Sequence, residues 1–336
     1  MYVPLKVGQS KNVLILRALP WSDVLTAVPA FRALRSALPD ARITLISLPS
    51  TSDFVKRFPG YIDDFIPFPG FPGFSGQPAN VRLFPSFLNT LQKLDFDLAL
   101  QMHGPGGIEN SLISLCGARA SAGFCLPGSY CPDERLFLPY PEQEPEIWRH
   151  LRLMEFLGIP LRGDHLEFPL FASDWSGLQK VKEIFNLYRD YVCIHPGVPQ
   201  LEDRWNAKKI AGIADGLAAF GYQIVLTGGP QDADFAETVA GEMENRPINL
   251  AGALELGRLA ALVSKARLVV SNDTGTSNIA AALRTPSIVL FSSLDTERLL
   301  RENCDLHQVV KNTPALTSSQ VLIQAIKHLE KLHAFA

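Results

Sequence analysis

A chain of 336 residues exceeds what a single hydrophobic core usually organises, so two domains of roughly 150 residues each are expected. Lys and Arg number 31 against 34 Asp and Glu, for a net charge of −3; with no long like-charge run, nucleic-acid binding is excluded. Five cysteines without paired metal-ligand spacing read as thiols of a reducing compartment, and no signal-type core or run of about 20 apolar residues is found, which points to the cytoplasm.

In chain order, Val13 to Leu16, Ile43 to Leu48 and Leu98 to Gln101 read as strands, with a further candidate at Ser121 to Phe124. Between the first two, Val24, Val28, Phe31, Leu34 and Leu38 recur at helical spacing behind Ser22 or Asp23 as cap, and Pro29 predicts a kink or an irregular start. The stretch from Phe58 to Pro85 is so rich in proline, glycine and phenylalanine that it cannot be a central strand or a long helix. Its aromatics either pack on their own domain or face a lipid-bearing ligand. After a join placed near residue 172, the rhythm restarts with strands at Val192 to His195, Ile224 to Thr227, Leu268 to Ser271 and Ile288 to Phe291. Each is followed by a polar or glycine-containing loop, which puts those loops on one edge of a parallel sheet, where open α/β sheets bind ligands.

The last of these loops but one is the richest in chemistry. An apolar run stops at Asn272-Asp273-Thr274-Gly275-Thr276-Ser277 and a small-residue helix begins. Free amides at a helix N-terminus favour an anion; Gly275 lets backbone approach it, and Thr274, Thr276 and Ser277 bring hydroxyl donors. Asp273 either caps the helix or holds a ribose hydroxyl. The same residues also fit an ordinary capped βα turn.

Five motifs in order make the chain resemble glycosyltransferase family 9, the ADP-heptose heptosyltransferases of lipopolysaccharide core assembly. They are Ile15-Leu16-Arg17 leading to Ser22-Asp23-Val24, His195-Pro196-Gly197 followed by Arg204-Trp205, Leu226-Thr227-Gly228-Gly229-Pro230, Asn249-Leu250-Ala251-Gly252, and Asn272-Asp273-Thr274-Gly275. The resemblance implies a GT-B architecture: two doubly wound, Rossmann-like parallel-sheet domains facing a cleft. Residues 1–172 would bind the acceptor and carry the catalytic loop; residues 173–336 would bind the nucleotide-sugar, the final helix packing back on the first domain. It implies an inverting transfer from a nucleoside-diphosphate sugar, an ADP-sugar first, to a lipopolysaccharide-like or other glycan hydroxyl. Asp23 would be the general base; Gly197, Arg204, Gly228, Gly229, Asp273, Thr274, Gly275 and Thr276 would hold the donor, and Ser22 and His103 would face acceptor or sugar. No tightly bound cofactor or metal is expected, and the glycolipid acceptor would bring the protein to the cytoplasmic face of the inner membrane.

The chain departs from the family pattern at Asp203, where a lysine is usual, at Ser22, where glycine is common, and at Asn278, where the best-known members have histidine. These changes bear on the donor sugar and on turnover, so a catalytically idle sugar-nucleotide-binding protein of the same fold is the alternative. A nicotinamide-dependent oxidoreductase is disfavoured because the first βα loop lacks Gly-x-Gly-x-x-Gly.

Overall fold

The computed structural model describes residues 7–74, 77–197, 206–272, 274–291, 305–311, 313 and 315–333. The chain divides into two compact units, Met1–His165 and Leu166–Ala336. The join expected near residue 172 thus lies slightly inside the second unit, at the first residue of its opening helix.

In the first unit, β1 (Asn12–Leu16) leads through α1 (Trp21–Leu25) and α2 (Val28–Ala37) to β2 (Arg42–Ser47), α3 (Ser52–Val55), β3 (Asp64–Pro67) and α4 (Phe84–Lys93). There follow β4 (Leu98–Gln101), α5 (Ile108–Leu115), β5 (Ala120–Cys125), β6 (Phe137–Pro139) and α6 (Glu146–Phe156). The strands pair in parallel in the order β3-β2-β1-β4-β5-β6. Strand order therefore reverses beside β1, and the carboxyl ends of β1 and β4 border the crevice where such sheets bind ligands.

Val13, Leu14, Ile15 and Leu16 are all fully buried, as a parallel strand covered on both faces requires. Phe68, Phe74, Phe87, Leu91 and Phe96 join Leu14 and Leu16 in one core cluster, so the aromatics of the proline-rich stretch largely pack within their own unit. The helix expected from Val24 to Leu38 is broken at Thr26-Ala27. Pro29 sits in the first turn of α2, where its missing N–H interrupts no helical bond. Neither Ser22 nor Asp23 is the cap: Pro20 holds that place, and its carbonyl accepts the amides of Asp23 (3.0 Å) and Val24 (3.1 Å).

The second unit runs α7 (Ala172–Phe185), β7 (Tyr191–His195), α8 (Ala207–Ala219), β8 (Gln223–Leu226), α9 (Ala233–Glu242), β9 (Ile248–Asn249) and α10 (Leu256–Ser264). It continues with β10 (Leu268–Asn272), α11 (Gly275–Ala282), β11 (Ser287–Phe291), β12 (His307–Lys311) and α12 (Ser318–His333). Its parallel sheet has the order β12-β11-β10-β7-β8-β9, the same winding with β7 in the place of β1. The final helix, α12, sets Val321, Ala325 and Leu329 into the core of its own unit and packs on α8. Among the described residues no helix is long and apolar enough to cross a membrane.

Candidate active site

In the first unit the loop after β1 is held from three directions. The Ala18 amide donates to Nδ1 of His103 on the loop after β4 (3.2 Å), and the Leu19 carbonyl accepts the hydroxyls of Ser47 (3.3 Å) and Thr51 (3.1 Å). Arg17 closes the third side. Its fully buried guanidinium donates to the Asp23 carbonyl through Nε (3.1 Å) and Nη2 (2.6 Å), and to the Met102 carbonyl through Nη1 (2.5 Å). Glu146, in the first turn of α6, accepts from Arg17 Nη2 at 3.0 Å and balances the charge. Burial opposes ionisation of Glu146, but the neighbouring His150 and Arg17 outweigh it and hold the carboxyl far below the usual range. Asp23 and Ser22, both partly buried, stand in the first turn of α1 at the rim of this crevice.

His103 is buried and its ring lies 4.6 Å from that of Phe74. Burial, with the charge of Arg17, pushes its pKa down to about 4, so the ring is neutral near pH 7. With Nδ1 accepting from Ala18, the proton sits on Nε2. Beyond it, Gly106 has φ of +102° and faces the Phe124 carbonyl so closely that no side chain fits.

The second unit repeats the plan at its own reversal point, between β7 and β10. His195 ends β7; its Nδ1 lies 3.1 Å from Thr276 Oγ1, and its Nε2 lies 3.8 Å from Asp232 Oδ2. A carboxylate facing Nε2 favours the proton there, which leaves Nδ1 to accept from the Thr276 hydroxyl. Burial lowers the His195 pKa, against the opposing charge of Asp232. Asp232 also accepts the Gly229 amide at 2.7 Å, and a Cβ on Gly228 would stand 2.6 Å from its own Cβ. Asn272 Nδ2 donates to the Pro196 carbonyl at 2.7 Å, just before Gly197, whose φ is +75°. His195 and its partners thus join the loops after β7, β8 and β10.

At the start of α11 the hydroxyls divide their tasks. Ser277 Oγ donates to the Thr274 carbonyl (2.6 Å) and accepts the Thr274 amide (3.3 Å), while Thr276, expected to face a phosphate, is committed to His195. Thr274 Oγ1 is buried and has no hydrogen-bond partner among the described residues. Beside it, the amides of Gly275 and Thr276 open the helix and lack intrahelical acceptors. Arg204 and Asp273 lie outside the described residues. Among those described, no group of three or more His, Cys, Asp or Glu side chains could hold a metal ion.

The structure sets Ser22, Asp23 and His103 at the crevice of the first unit, and Gly197, Gly228, Gly229, Thr274, Gly275 and Thr276 at that of the second. Sequence reasoning missed Asp232 and Glu146, and it took Arg17 only as part of a motif. Arg17 could have been noticed as a charge in the otherwise apolar run Val13 to Pro20, the mark of a buried ion with a distant partner.

The sequence profile of glycosyltransferase family 9 (heptosyltransferase) matches residues 85–319. Lipopolysaccharide heptosyltransferase 3 of Escherichia coli (strain K12) is 25% identical over 297 residues, which covers 81% of this chain and 80% of the relative. A solved glycosyl transferase family 9 protein from Veillonella parvula DSM 2008 has a TM-score of 0.80 at 18% identity, over 97% of this chain and 99% of that one. The E. coli ADP-heptose lps heptosyltransferase II structure has a TM-score of 0.73 at 19% identity, over 97% and 100% of the two chains. The two successive doubly wound units are those of the GT-B heptosyltransferase fold. With the matched profile spanning well over half its length, the chain belongs to glycosyltransferase family 9.

Proposed function

We propose that this protein transfers a sugar, a heptose first, from its ADP-sugar to a hydroxyl of a lipopolysaccharide-like or other glycan acceptor, inverting the anomeric centre with Asp23 as general base. The supporting observation is that Asp23 and the Thr274 hydroxyl, which has no partner among the described residues, each stand at the reversal point of a doubly wound sheet. In this reading the first unit takes the acceptor and the second the donor. The acceptor oxygen attacks the anomeric carbon, its proton passes to the Asp23 carboxylate, and the bond to the diphosphate oxygen breaks on the opposite face. Proton transfer to the carboxylate is concerted with attack. Charge growing on the departing diphosphate meets the N-terminal amides of α11 and the Thr274 hydroxyl. His103 offers Nε2–H to a sugar hydroxyl. Arg204 and Asp273 complete the donor contacts, no tightly bound cofactor takes part, and the protein works at the cytoplasmic face of the inner membrane, where a lipid-anchored acceptor lies.

The reading has two tests. ADP at a hundredfold its dissociation constant should stabilise the native state by about 2.7 kcal/mol, and UDP or GDP at the same concentration by much less. With ADP-heptose as donor, Asp23→Asn should lower turnover by about 10²- to 10⁴-fold and leave ADP affinity unchanged. ADP binding without turnover on any acceptor would leave only a sugar-nucleotide-binding protein.

A further inference from the structure

The guanidinium of Arg17 contacts main-chain carbonyls of two different crevice segments, Asp23 after β1 and Met102 after β4. Thr26 reinforces the Asp23 side, accepting from Arg17 Nη2 (3.1 Å) and donating to the same Asp23 carbonyl (2.7 Å). The fork is planar and rigid, so the two carbonyls are held at a fixed separation that a lysine, a single flexible point charge, could not impose. Glu146 balances that charge from α6, and its other oxygen is held by Arg149 at 2.7 Å, which in turn meets the Tyr140 hydroxyl at 3.0 Å. The base loop is thereby referred to a helix 129 residues away in sequence.

We propose that Arg17, with Glu146, is a positioning residue for the transferase reaction: it locks the loops after β1 and β4 into one piece and so fixes Asp23 relative to His103. This rests on the reading of Asp23 as base. Arg17 meets the main-chain carbonyl of Asp23, so it sets where the residue stands without itself entering the chemistry. A displacement of about 1 Å at a reacting group costs on the order of 10²-fold in rate, which is the scale of effect such a lock controls.

The test is hydrogen exchange and steady-state kinetics on the intact protein, comparing Arg17→Lys with Arg35→Lys. Arg35 is the matched control, because it donates to the carbonyls of Ala41 (2.6 Å) and Tyr61 (3.2 Å) and pairs with Asp63, at the amino edge of the same sheet. Arg17→Lys should speed exchange of the amides of both 18–27 and 102–107 and, with ADP-heptose as donor, lower kcat by about 10- to 100-fold while donor KM moves less than about threefold. Arg35→Lys should leave both loops and kcat unchanged. Should Arg17→Lys fail to fold, Thr26→Val removes one contact of the same lock and should loosen the same two loops to a smaller degree. Unchanged exchange in either loop, or equal loss of kcat in the two arginine variants, would overturn the proposal. If Asp23→Asn is inactive and Arg17→Lys fully active, the role of Arg17 falls alone; if Asp23→Asn retains full turnover, the base assignment falls and takes this role with it.

Discussion

Valine in place of Thr274 keeps the side-chain shape and deletes one hydroxyl, the buried one with no partner among the described residues. If that oxygen donates to a charged phosphate, Thr274→Val should weaken ADP binding by about 1 to 3 kcal/mol in titration calorimetry, without loss of thermal stability. The same change at Thr276 should act differently, because its hydroxyl serves His195 inside the protein: Thr276→Val should lower stability as well as affinity. Sequence could not separate the two threonines. Both stand at the start of one helix, and which one turns inward depends on a histidine 81 residues earlier, reached only through the pairing of β7 with β10. The position of Asp23 just after β1, by contrast, was legible because its reason is local: an apolar strand, a short turn and a helix start lie within a dozen residues. Its backbone role was not, since the cap proved to be Pro20 and the Asp23 carbonyl belongs to Arg17.

Strands dominated by apolar residues were readable, and most of the others were not. β1, β2, β4, β7, β8, β10 and β11 are largely buried and announce themselves by mainly apolar runs, interrupted by Thr44 in β2, Gln101 in β4 and Cys193 in β7; β5, a candidate at Ser121 to Phe124, has no such run. β3, β6, β9 and β12 stand at or next to the sheet edges, are short or polar, and owe their pairing to the neighbouring strand rather than to their own composition. The break between α1 and α2 was foreshadowed by Pro29, although its location, two residues earlier, follows from the Thr26 hydroxyl bonding back to Asp23. Loop shape at the end of β4 is the element most exposed to a single methyl group. Gly106→Ala would place a Cβ against the Phe124 carbonyl at a positive φ, and should destabilise the protein by about 1 to 3 kcal/mol in urea unfolding. Because the loop also carries His103, ring-nitrogen NMR of that histidine should change in the same variant.

At the scale of the whole molecule, both units bury neutral histidines. Burial first, then nearby charge, pushes His103, His150 and His307 down to about 4, and His195 and His328 are lowered too. An unfolded histidine takes up its proton near pH 6.5, so below that the unfolded chain binds protons that the native state refuses. Stability should therefore be full above about pH 6.5 and decline as pH falls toward about 4, with the ionised Glu146 adding to the loss only at the acid end. Urea midpoints at pH 7.5 and 5.0 measure this; equal midpoints would mean that the histidines open to water. The sheet edges carry a consequence of another kind. A parallel sheet pairs strands distant in sequence and forms slowly, which leaves unpaired edges available to other copies of the chain. In the first unit both outer strands end in proline, Pro67 and Pro139, and in the second β9 pairs through only two residues, just after Pro247. A visiting strand finds missing donors or no length to grip. β12, with five residues from His307 to Lys311, lacks this protection within the strand, so heat-induced aggregates should nucleate there, and light scattering on heating should report first on changes in that strand.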